Sequence, residues 1–198
     1  MPTETGTPVL IRTGQGTKSD KPPQFGDPSS GGRMTGGDDF NRIAAMLERI
    51  RQTLKQLVFL RSAVLPAELQ PRLEESWPIA DRSFTDAIAI LNDKRRRDEL
   101  APLLEQTGLT GEMLELKETS LDFHLRRVDE ALAASAKQEK AEGGWVRRFV
   151  RWIKPAFTVM NSIMGSLTSV IPGIDVAKEY KEHVEAGYEV AETAIDGE

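Results

Sequence analysis

Cysteine is absent from the 198 residues, which excludes disulfide stapling, thiolate metal sites and a cysteine nucleophile. Histidine occurs only at His124 and His183, so no pair stands at the helical spacing that a zinc site needs, and His124 reads as a boundary residue beside an apolar stripe. There is no Gly-x-Ser-x-Gly elbow, no dinucleotide fingerprint and no calcium-binding loop. Together these absences predict a protein that is not an enzyme and has no cofactor or metal.

Positive charge is also short. The formal net charge is −5 and the sequence pI about 5.3, so no global field draws the chain to nucleic acid. The first residues lack a basic start followed by an apolar run, the mark of a secretory signal. The expected location is cytoplasmic, with a peripheral place at a membrane.

What is present is helical periodicity, preceded by a stretch without any. Residues 1–37 are rich in Gly, Pro, Ser and Thr, with no sustained apolar period, and are expected to form a disordered arm. Within it, Gly14, Gly16, Lys18 and Ser19 imitate a phosphate loop. The imitation fails, because no Gly precedes the Lys and Pro22 and Pro23 follow where a helix must begin.

From Asp38 the pattern changes. Phe40, Ile43, Leu47, Ile50, Leu54 and Leu57 recur at spacings of three and four, predicting an amphipathic helix capped by Asp39 and running to Pro66. Pro66, Pro71 and Pro78 predict short turns. A second helix is expected over 79–97, with Phe84, Ala87, Ile88 and Leu91 inward. The run Lys94 to Arg97 would then sit at its C-terminus, where the macrodipole favours cations. A short helix over 100–106 should stop at Gly108, and another should run from a Thr110 cap to about Lys140, burying Leu114, Leu121, Leu125, Val128 and Leu132.

The C-terminal unit, 145–198, departs most from an ordinary helical protein. Trp145, Phe149 and Trp152 share one side, while Arg147, Arg148, Arg151 and Lys154 supply every charge between 145 and 154. Aromatic rings beside an all-positive remainder suit a helix at an anionic membrane surface. Pro155 is expected to break this helix and reset its register. The following twenty residues, 155–174, carry no formal charge, with Phe157, Met160, Met164, Leu167, Ile171 and Ile174 on one face and Gly165 among small polar residues on the other. Pro172 and Gly173 end that segment, and an acidic helix follows, with Ala177, Tyr180, Val184, Tyr188 and Ala191 inward and its carboxylates placed to mask the basic segment.

The expected fold is therefore all-α: an antiparallel helical bundle over 38–141, a disordered N-terminal arm and a C-terminal helical unit. The expected function is non-catalytic association with an anionic membrane surface, or conditional insertion, through Trp145 to Lys154 with Phe157, Met160, Met164, Gly165 and Leu167. The alternative is a soluble adaptor or assembly subunit that uses the same helices for a partner helix or for self-association.

Overall fold

The computed structural model describes residues 37–60, 64–109, 111–137 and 144–196. The N-terminal arm, the Thr110 cap and the helix end expected near Lys140 lie outside the described residues.

Six helices and no strand occur among the described residues: α1 (Gly37–Leu60), α2 (Gln70–Asn92), α3 (Lys94–Gln106), α4 (Gly111–Lys137), α5 (Gly144–Thr168) and α6 (Ile174–Asp196). The fold is all-α and largely antiparallel. Along α4 from Lys117 to Phe123, the partners on α5 retreat from Ser162 to Trp152, so these helices oppose each other. Likewise Lys154 of α5 meets Glu192 of α6, while Phe157 meets Tyr188. Phe40, Ile43, Leu47, Ile50, Leu54 and Leu57 are all buried, as their spacing predicts, and they join one core that also takes in α5 and α6.

Tyr188 shows how that core closes. Its hydroxyl donates to the Leu57 carbonyl oxygen of α1 at 3.0 Å, and its ring lies 5.3 Å from Phe149 and 6.2 Å from Phe157 of α5. One residue earlier, a Cβ on Gly187 would stand 3.1 Å from a Leu65 methyl and 3.3 Å from a Leu69 methyl, so glycine lets the α1–α2 connection settle onto α6.

Several boundaries differ from those expected. Helix α1 begins at Gly37, which puts Asp39 inside its first turn and not at the cap, and Val64 already lies in a turn. Pro71 sits in the first turn of α2, where its missing N–H costs nothing, and Pro78 is carried inside that helix. Pro78 is exposed, while Leu73, Trp77, Ala80 and Phe84 bury the opposite face, so packing on both sides of the proline holds the helix through it.

The basic run lies at the start of α3, not the end of α2. Asp93 adopts an extended backbone and its carboxylate accepts the Arg95 backbone N–H at 2.9 Å, starting a new helix. Cations in a first turn oppose the macrodipole. Arg97 offsets this with hydrogen bonds to the Leu91 carbonyl at 2.9 Å and Asn41 Oδ1 at 2.8 Å, and its guanidinium lies 5.6 Å from the centre of the Phe40 ring. The stop at Gly108 falls as expected, with φ of 76° in the left-handed region.

Candidate functional site

Helix α5 decides what the C-terminal unit offers to a ligand. It runs unbroken from Gly144 to Thr168 with Pro155 inside, so the expected pair of helices out of register is one helix. The buried set explains this: Phe149, Val150, Ile153, Ala156, Phe157, Met160, Ile163, Met164 and Leu167 keep a single stripe past the proline. An inward face reckoned on Trp152 shifts the stripe and creates the false reset, whereas Val150 and Ile153 carry it through. Trp152 is half-buried at the margin, its ring 6.4 Å from Phe123 of α4 and under the Arg127 guanidinium at 5.5 Å.

The residues singled out in the sequence therefore separate into two faces. Phe149, Phe157, Met160, Met164 and Leu167 are enclosed by the protein's own core and offer no surface to lipid or partner. Arg147, Arg148, Arg151, Lys154 and Gly165 point outward. The helix at Trp145 is described, but its side chain lies outside the described residues.

Outward-facing α5 forms the floor of a groove of about 670 Å³, walled by His124 of α4 and Glu192 of α6. Arg147, Arg151 and Lys154 stand along the floor at successive turns, with Thr158 beyond them and Val150, Pro155 and Val159 between. Glu192 is the single carboxylate in this lining, and it pairs with Lys154 at 3.2 Å. Through this pair the acidic helix reaches the basic segment at Lys154. Arg151 makes no ion pair with the described residues.

The adjoining turn of α4 sets two cations beside two carboxylates. Arg126 and Arg127 flank Phe123, which is 50% exposed and so leaves an aromatic edge among cations. Asp122 and Glu130 lie beside them, the latter paired with Arg127 at 3.0 Å. Phe123, Arg126 and Arg127 fall outside the Leu114 to Leu132 stripe. Their only sequence signal is that Leu116 and Phe123 are seven apart, two turns on one outer face.

Past Thr158 the same outward face becomes uncharged: Asn161, Ser162, Gly165 and Ser169 are exposed. Lys117 of α4 donates to the Ser162 hydroxyl, and in that part of α4 Met113 and Leu116 are 50% and 63% exposed. Nothing lies within 4 Å of a Cβ built on Gly165.

Among the described residues no group of three potential metal ligands occurs, and no helix is long and apolar enough to cross a membrane. The groove on α5 is lined by three cations, Arg147, Arg151 and Lys154, against one carboxylate, Glu192, so its net charge is suited to holding anions. In comparisons with known proteins, no family model matches the chain, and neither a curated protein nor a solved structure matches it.

Proposed function

We propose that this protein is a non-catalytic helical module that binds an anionic membrane surface peripherally, as a folded bundle, through the outward face of α5. The observation that supports this most is the separation of α5 into two faces. Its apolar side is fully used by the core, while Arg147, Arg148, Arg151 and Lys154 face outward in a chain of net charge −5. At about 1 kcal/mol per basic side chain near an anionic surface, four such residues are enough for reversible attachment. The exposed edge of Phe123 on α4 suits the headgroup region, where aromatic rings are at home. Insertion of α5 is disfavoured, because it would require taking Phe149, Phe157 and Met160 out of the core.

Liposome flotation with and without anionic lipid tests the proposal. Binding should need the anionic lipid, weaken with salt and be lost when the four basic residues of α5 become Gln. Binding that ignores lipid charge would overturn it.

The neutral half of α5 supports a second reading, in which the protein is an adaptor or assembly subunit. Exposed Gly165, Ser162 and Asn161 beside Met113 and Leu116 make a surface on which another helix could lie closely. This reading expects a concentration-dependent oligomer without detergent, weakened by Gly165→Leu.

A further inference from the structure

Building on the membrane reading, we infer that the groove on α5 is a receptor for a phosphomonoester-bearing lipid headgroup, so that attachment is selective for headgroup chemistry and not for surface charge alone. Arg147, Arg151 and Lys154 occupy positions i, i+4 and i+7, which puts them on one line of the helix spanning about 10 Å. Neighbouring side chains on such a line stand about 5–6 Å apart at Cβ, close enough for the Arg151 guanidinium to fork one phosphate while Lys154 reaches a second anionic group. A lipid headgroup with a monoester beyond its diester has two such groups.

The groove's shape agrees with a compact occupant. Its volume of about 670 Å³ is in the usual range for small-molecule sites. A docked acidic helix, about 10–12 Å across, would fill that volume with only about one to two turns, far less than a stable helix–groove interface needs. Val150, Pro155 and Val159 give the floor an apolar component against which a ring or glycerol backbone can rest, and Thr158 adds a hydroxyl. Glu192 is the internal anion already seated at one end, on Lys154, and a phosphate entering the groove replaces it.

The test uses the full chain and two sets of phosphatidylcholine vesicles, one doped with a phosphatidylinositol monophosphate and one with phosphatidylserine, adjusted to the same zeta potential. The expected result is at least about tenfold tighter binding to the phosphoinositide set, the gain from one well-formed charge-assisted contact. The soluble inositol phosphate headgroup should compete, while inorganic phosphate at the same concentration competes much less. Thr158→Trp fills the groove without altering any charge, and it should abolish the preference for the phosphoinositide set over the phosphatidylserine set. Arg151→Gln, an exposed position, should reduce the preference independently should the tryptophan variant prove unstable by circular dichroism. Equal binding to both vesicle sets overturns the headgroup inference and leaves the membrane reading standing. Binding to neither set overturns both. Displacement by a polyglutamate peptide more effective than by the soluble headgroup overturns the inference in favour of an acidic protein partner.

Discussion

The Lys154 ammonium lies 3.2 Å from the Glu192 carboxylate, joining the basic helix α5 to the acidic helix α6 at the edge of the groove. Both side chains are substantially exposed, at 58% and 36%, so the pair adds only about 0–1 kcal/mol to stability. Glu192→Gln should therefore leave the denaturation midpoint nearly unchanged while raising affinity for anionic vesicles, because Lys154 is released and a negative charge is removed. Flotation at two salt concentrations checks this, and an unchanged affinity would show that the contact does not restrain the basic face.

The apolar side of α5 offers a sharper separation of stability from binding. Phe157 is buried against Tyr188, and Phe157→Ala should cost about 3–5 kcal/mol in urea denaturation. At temperatures where the variant stays folded, vesicle binding should persist. Were the apolar face a lipid anchor, the same substitution would instead reduce binding with little loss of stability.

The two tyrosines of α6 should respond oppositely to loss of their hydroxyls. Tyr188→Phe removes the buried hydrogen bond to the Leu57 carbonyl and should cost about 0.5–1.5 kcal/mol. The Tyr180 hydroxyl is buried without a hydrogen-bond partner among the described residues, so Tyr180→Phe should be neutral or stabilising by denaturant titration.

Burial also raises the Tyr180 phenol pKa well above its ordinary value, which has a consequence at high pH. The unfolded chain ionises first, near pH 10, while the folded phenol keeps its proton. Stability should consequently fall as pH rises above about 10, through the interval up to the raised folded value. Tyrosinate absorbance would detect the late ionisation, and Tyr180→Phe should flatten this part of the stability profile.

Glycines 165 and 187 form a matched pair of tests. Both are helical, but a Cβ at 165 meets open space, whereas one at 187 meets a Leu65 methyl at 3.1 Å. Gly165→Ala should stabilise by about 1 kcal/mol through helix propensity. Gly187→Ala should gain less or lose stability, and the difference in denaturation midpoints measures the close approach of the α1–α2 connection.

Much of this architecture was legible beforehand because period and burial agree residue by residue. The stripes of α1 and α6 are buried as their spacing requires, and Gly108 stops α3 with a positive φ. The prolines were less legible. Whether Pro78 or Pro155 ends a helix depends on whether packing before and after it outweighs one lost hydrogen bond and a local kink, and that packing comes from other segments. The basic run at Lys94 to Arg97 misled for a similar reason: a cation cluster is compatible with either helix end, and Asp93 settled which by turning its backbone extended and accepting the Arg95 amide.

The sequence by itself determined that the chain is helical, which faces of α1, α4 and α6 are apolar, and that the charges of 145–154 are all positive. Only the tertiary structure decided where α5 spends its two faces. Its aromatic and methionine side entered the core against Tyr188, its cations turned outward along a groove, and Arg126, Arg127 and Phe123 came alongside from the preceding helix, α4, as it folded back antiparallel. Periodicity records that a face must be covered, because apolar area is costly in water. It holds no record of what covers it, since that depends on the direction and neighbours each helix acquires when the bundle closes.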